Sequence, residues 1–103
     1  FLKCTELSSV NIPKSVTTIE YSAFYMCKGL KEITIPDKVT TIGKGAFYGS
    51  GLTNVTIGSG IEEIEATAFG GTKDLTTITI KKSTDSIENA PWGATNAEII
   101  WEE

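Results

Sequence analysis

The residues of this chain that could do chemistry are carboxylates, hydroxyls and tyrosines, because its 103 residues include no histidine. Histidine is the usual general base near neutral pH, the usual partner of a serine or cysteine nucleophile, and a common metal ligand. The remaining residue types do not assemble into a nucleophile–base pair, a metal cluster or a cofactor-binding loop. We therefore expect a protein that is not an enzyme, with no catalytic residues, no metal site and no cofactor.

Five carboxylates lie close together in the second half of the chain: Glu62, Glu63, Glu65, Asp85 and Glu88. Facing carboxylates repel one another, and a hard cation such as calcium could offset that repulsion. The alternative, which we favour, is a solvated acidic face with Lys73, Lys81 and Lys82 as neighbours.

The charge balance bears on the class of partner. Net charge is −4, and all nine cationic residues are lysines. A basic face that follows phosphates is therefore not expected, which argues against nucleic acid as a partner. No window approaches the roughly 18 consecutive apolar residues of a membrane-spanning helix, so we expect no membrane insertion of this chain.

An internal repeat positions these residues. Leu7, Leu30, Leu52 and Leu75 are separated by 23, 22 and 23 residues. Other apolar positions recur in step with the leucines: Phe1, Phe24, Phe47, Phe69 and Trp92; Val10, Ile33, Val55 and Ile78; Ile12, Ile35, Ile57 and Ile80; Ile19, Ile42, Ile64 and Ile87. Self-similarity at a fixed period predicts stacked copies of one structural unit, none of which could stay folded alone.

Each unit predicts a strand rather than a helix. Val10-Asn11-Ile12 alternates apolar and polar residues, as a half-buried strand does, and Pro13 then ends it. Pro36 ends the equivalent strand of the next unit. No apolar stripe of 3.6-residue period runs longer than a turn.

The string LKEITIPDKVTTIGKGAFYGS, with its counterparts before and after, resembles the BspA-like leucine-rich repeat of bacterial cell-surface proteins. The resemblance implies a β-rich leucine-rich-repeat solenoid: a right-handed coil of 22–23-residue units, with a parallel sheet on one face and short turns or second strands on the other. It also implies an extracellular protein at a bacterial cell surface, secreted from the cell and active in adhesion or host-ligand binding. Gly58 and Lys81 depart from the pattern, since each replaces the expected proline.

The unit boundaries follow from the leucines. We expect leucine-rich repeats over residues 1–80, with a partial first unit at 1–6, units at 7–29, 30–51 and 52–74, and another from 75 onward. The pattern degrades over 81–103, which we interpret as a last unit and a C-terminal cap. Because Phe1 begins in mid-pattern, we expect either missing upstream repeats or self-association through an uncapped N-terminal end.

Two candidate binding surfaces follow from the repeat phase. Outward strand positions form a polar row, the first candidate: Ser9, Asn11, Glu32, Thr34, Asn54, Thr56, Thr77 and Thr79. Such a row suits a glycan or an extended polypeptide, although threonine and asparagine could equally serve only to keep a sheet soluble. Tyr25 and Tyr48, with Tyr21 nearby, could form an aromatic platform or could pack over the edge of the solenoid.

Cys4 and Cys27 share one repeat column with Ser50 and Thr72. Adjacent units place the two cysteine backbones about 4.8 Å apart, but parallel inward side chains make a disulfide torsion awkward. We favour two buried thiols, with small column members that bond to the backbone.

Three functions remain open. The first is a binding module that holds a host or matrix protein or a polysaccharide through its solenoid surface. The second is a structural spacer or accessory domain of a larger surface protein, with any activity elsewhere. The third, enzymatic role is the weakest, because no catalytic constellation can be assembled.

Overall fold

The structure, a computed structural model, describes residue 8 and residues 10–82, 87, 90, 92–94 and 96–102. Its described part is built from short strands in two parallel sheets. The larger sheet contains β2 (Glu32–Ile35), β4 (Asn54–Ile57), β6 (Thr77–Ile80) and β7 (Glu98–Trp101), in that order. The smaller contains β1 (Thr18–Ile19), β3 (Thr41–Ile42) and β5 (Glu63–Ile64).

The order of strands in both sheets follows the coil. Units 30–51 and 52–74 each contribute one strand to each sheet. Residues 22 or 23 apart become partners, as in Ile33 with Val55 and Val55 with Ile78, whereas β6 and β7 pair at a spacing of 21. All these pairs are parallel. The predicted β-solenoid of leucine-rich-repeat units is confirmed.

Alternation along the strands explains the core. In β2, Ile33 and Ile35 are buried while Glu32 and Thr34 are exposed, and β4 and β6 follow the same period. Since one face must bury its aliphatic side chains, the register cannot slip by one residue without exposing them. The repeat columns are therefore continuous apolar stacks inside the coil.

Phenylalanine rings form the centre of the core. Phe24, Phe47 and Phe69 stack with centroid separations of 5.2 and 5.3 Å and nearly parallel planes. Their exposed fractions are 5%, 0% and 0%. Backbone bonds lock the same positions from unit to unit, since Phe24 N–H donates to Ala46 O at 2.7 Å and Phe47 N–H donates to Ala68 O at 2.8 Å. The predicted inward placement of these rings is confirmed.

Glycine permits close approach of successive units at their turns. A Cβ added to Gly60 would overlap the carbonyl oxygen of Asp37 one unit earlier. At Gly45 the reason is different: φ is +65°, in the left-handed region that glycine adopts without strain, while an added Cβ would make only ordinary contacts with Ser22 and Tyr48, at 3.7 and 3.9 Å.

The first predicted strand differs from its counterparts. Val10, Asn11 and Ile12 are not in a strand, and no described residue of this segment makes a backbone hydrogen bond to β2. At the other interfaces the strand end is held by a backbone donor: Gly58 N–H to Ile35 O at 2.9 Å, and Lys81 N–H to Ile57 O at 3.0 Å. The equivalent donor for Ile12 O would be residue 36, which is a proline and has no N–H.

At the other end, β7 continues the larger sheet within residues 81–103. It pairs with β6 from Glu98 to Trp101, and Trp101 packs edge-on against the buried Trp92 with centroids 6.4 Å apart. Ile99, Ile100 and Trp101 are half-buried. Across the described ranges no helix is long and apolar enough to cross a membrane.

Candidate functional site

The predicted polar row lies on the outer face of the larger sheet. Register brings Glu32, Asn54 and Thr77 together in one column, and Thr34, Thr56 and Thr79 in a second. Asn11 is exposed beside this face but outside the sheet, and Ser9 lies outside the described residues. The sheet therefore aligns six of the eight row positions in the two columns.

Two sets of threonine hydroxyls differ in whether they form hydrogen bonds with the backbone. Those of Thr40, Thr53 and Thr76 each donate to a backbone carbonyl of the preceding unit, at 3.0 to 3.3 Å. Those of Thr34, Thr56 and Thr79 make no hydrogen bond with any described residue. The first group joins units, and the second group is available to a ligand.

A groove opens at one end of the polar row. It encloses about 740 Å³ between Val10–Ile12 and β2, and Thr34 and Thr56 of the row contribute to its lining. Three lysines, Lys14, Lys38 and Lys81, and two carboxylates, Glu32 and Asp37, also line it. The sequence did not predict this groove, although the missing donor at Pro36 was a signal that could have indicated it.

Asp37 already has a structural role in the groove. Its Oδ1 accepts a hydrogen bond from Ser59 N–H at 3.0 Å, which ties the turn after β2 to the turn after β4. None of the three lysines forms an ion pair with another described residue. With three lysines against two carboxylates, the lining of the groove carries a net charge of +1 on a chain whose net charge is −4.

The two candidate tyrosines form a stacked pair. The rings of Tyr25 and Tyr48 lie 5.6 Å apart with planes inclined by 12°. Tyr48 also packs over the backbone of Gly70 and Gly71, where its ring atoms come within 2.8 and 3.5 Å of added Cβ positions. Tyr48 is still 40% exposed and Tyr21 is 75% exposed. The pair therefore covers backbone with one side and meets solvent with its rim.

The structure describes three of the five clustered carboxylates. Glu62 and Glu63 are exposed and Glu65 is half-buried, whereas Asp85 and Glu88 lie outside the described residues. Among described residues no group of three or more histidine, cysteine or acidic side chains could hold a metal ion. The solvated acidic face that the sequence favours for this cluster therefore stays a prediction.

The described members of the cysteine column, Cys27, Ser50 and Thr72, are buried. Cys27 carries a thiol with 0% exposure, and Cys4 lies outside the described residues. Thr72 behaves as predicted, since its Oγ1 donates to Phe69 O at 2.6 Å. For Ser50 the prediction is wrong: its buried Oγ has no hydrogen-bond partner among the described residues.

Comparison with protein families agrees with the geometry. A model described as the BspA type leucine rich repeat region matches residues 1–99 in six copies. Comparisons with curated proteins and with solved structures find no match. With its repeat spacing, parallel sheets and stacked phenylalanines, this chain belongs to the BspA-type leucine-rich repeat family.

Proposed function

We propose that this chain is a non-catalytic binding module, displayed outside a bacterial cell, that holds a protein or polysaccharide of a host or matrix across its polar row. Membership of the BspA-type family supports a repeat module of this kind, because the family is associated with bacterial surface proteins. Function resides in sites rather than folds, so the proposal depends on the surface itself.

The observation that carries the proposal is the aligned column Thr34, Thr56 and Thr79. Neighbouring strands lie about 4.8 Å apart, so the column spans about 10 Å of sheet. Its hydroxyls have no internal partner among the described residues, and each can donate and accept. A rigid sheet presents these groups without the ordering cost of a loop.

Lysine substitutions in the column test the proposal. The chain is used to probe arrays of glycans and matrix proteins, together with a Thr56→Lys/Thr79→Lys double variant. Thr18→Lys is the matched control, because Thr18 is an exposed threonine on the smaller sheet. We expect captured ligands to be lost by the double variant and kept by the control.

Two outcomes would contradict this. If a ligand is captured equally by all three proteins, the binding surface lies elsewhere, and the tyrosine pair becomes the next surface to test. If both arrays are silent, the structural spacer replaces the binding module.

A further inference from the structure

We propose that the groove beside β2 accepts an extended polypeptide segment, which adds as a strand to the outer edge of β2 and carries an acidic residue at its end. This inference deepens the proposed function, on which it rests, by naming a ligand class for one end of the polar row.

The outer edge of β2 presents unused backbone groups. In a parallel ladder, alternate residues direct their N–H and C=O groups to opposite neighbours. Lys31 O and Ile35 O accept from β4-side donors, so the odd-numbered residues face β4. Glu32 and Thr34 therefore direct their backbone groups toward the groove, where no described residue bonds to them.

The groove opens on only one side of the coil, so the first unit stays attached to the second. On the far side of the coil the first unit remains bonded to the second, with Thr40 N–H to Thr17 O and Gly43 N–H to Ile19 O both at 2.8 Å. Only the segment at Val10–Ile12 stands away from β2, at the position where Pro36 lacks a donor. Among the described interfaces of the larger sheet, this is the one at which the strand-end donor position is a proline.

A polypeptide strand matches this edge better than other ligands do. It repeats its N–H and C=O groups with the same two-residue period as β2, and strand addition to an exposed sheet edge is a known mode of peptide recognition. Its alternate side chains would lie beside Ile33 and Ile35 on one side and Val10 and Ile12 on the other. Two aliphatic residues at alternate positions suit that environment.

The lysines of the groove favour an acidic residue at the end of the bound peptide. Lys14, Lys38 and Lys81 line the groove, and Asp37, one of the two lining carboxylates, is already bonded to Ser59. An acidic residue after the second aliphatic position would meet these ammonium groups. The ligand class is thus an extended peptide of the pattern aliphatic, polar, aliphatic, acidic.

The probe is a fluorescein-labelled peptide, TNVTIEE, which joins the sequence of residues 53–57 to two glutamates. Binding is measured by fluorescence anisotropy with the full chain. Two peptides serve as comparisons: TNVTIKK, which reverses the end charge, and TNVTIEE with N-methyl groups at alternate backbone nitrogens, prepared in both phases. We expect saturable binding of TNVTIEE, and weaker binding both of TNVTIKK and of the N-methyl phase that removes the N–H groups facing β2. The other N-methyl phase should bind as TNVTIEE does.

Two protein variants test whether Pro36 and the groove lysines determine the affinity for the peptide. Pro36→Ala restores the donor to Ile12 O, which should let Val10–Ile12 pair with β2 and reduce affinity about tenfold, as expected when the open state becomes a minor population. Lys38→Glu should reduce affinity about fivefold, and Lys44→Glu, an exposed lysine outside the groove, should leave it unchanged.

Amide hydrogen exchange provides the direct readout. Bound TNVTIEE should slow exchange at Glu32 and Thr34, and Pro36→Ala should slow the same amides without peptide. No saturable binding, or affinities of Pro36→Ala and Lys38→Glu within twofold of the parent, would overturn the proposal. So would protection of these amides in the chain alone as its concentration rises, since the occupant would then be a second copy.

Different results would refute the peptide groove and the binding role of the polar row. Thr79 does not line the groove, so Thr79→Lys should spare TNVTIEE binding while it abolishes capture across the polar row. Loss of peptide binding in Thr79→Lys alone would place the peptide on the sheet face and overturn the groove. Silent arrays with intact peptide binding would overturn only the function proposed for the row.

Discussion

The stack of phenylalanine rings makes a quantitative prediction, because its members differ in their number of ring partners. Phe47 lies between Phe24 and Phe69 at 5.2 and 5.3 Å, whereas Phe69 stacks on Phe47 alone among the described phenylalanines. Both Phe47 and Phe69 are 0% exposed. Phe47→Leu therefore breaks two stacked ring pairs and Phe69→Leu breaks one, at sites of equal burial.

The magnitude follows from the stacked pairs that each variant breaks. A buried aromatic pair contributes about 0.5–1.5 kcal/mol beyond area burial. Replacement of phenylalanine by leucine adds a repacking cost, up to about 1.5 kcal/mol, that the two sites share. Phe47→Leu should therefore lower the free energy of unfolding by about 0.5–1.5 kcal/mol more than Phe69→Leu. For a domain of this size a difference of 1 kcal/mol moves Tm by about 4–8 °C.

The assay is a double-mutant cycle in urea. Unfolding is followed by far-UV circular dichroism and by fluorescence of the buried Trp92, and coincidence of the two signals supports a two-state treatment. The Phe47→Leu/Phe69→Leu double variant should be less destabilised than the sum of the single variants, by about 0.5–1.5 kcal/mol. Equal destabilisation by the single variants, together with coupling below about 0.3 kcal/mol, would refute ring stacking as a distinct contribution.

Two further predictions concern single positions. Ser50→Ala should raise the free energy of unfolding by about 1 kcal/mol, because it removes a buried hydroxyl without a partner, whereas Thr72→Val should lower it, because it removes the bond to Phe69 O. Thermal melts of both variants check this, and a loss of stability in Ser50→Ala would contradict it. Gly60→Ala should lower stability by about 3 kcal/mol, since its Cβ meets the backbone of Asp37. Gly45→Ala, whose Cβ would make only ordinary contacts but whose φ is positive, should lose about 1 kcal/mol. Urea midpoints compare the two, and equal losses would show that the units can separate at Gly60.

The sequence predicted the interior of this fold better than its surface. Columns such as Ile33, Val55 and Ile78 could be predicted because burial on one face imposes a period of two within a strand and of 22 or 23 between units. The polar row follows from the same phase, and its binding role stays a prediction. Spacing alone determines where a side chain points, but not whether a ligand meets it.

The sequence prediction missed two features, the absence of a strand at Val10–Ile12 and the presence of β7. Val10–Ile12 has the right alternation for a strand, yet Pro36 supplies no donor to hold its end. In the last unit, Ile99 and Trp101 join the columns of Ile78 and Ile80 at a spacing of 21 residues, which falls outside the repeat. The run of β-branched and aromatic residues Ile99-Ile100-Trp101 was the available signal for β7.

Because every strand pairs with its counterpart one unit away, all strand pairings of the described residues close chain loops of 21 to 23 residues. Loop-closure entropy depends on that length, and folding rate falls as the mean separation of contacting residues increases. Adding units to this solenoid would therefore lengthen the protein without lengthening its loops. A nucleus of two units, once formed, can be extended in either direction at a constant entropic cost per step.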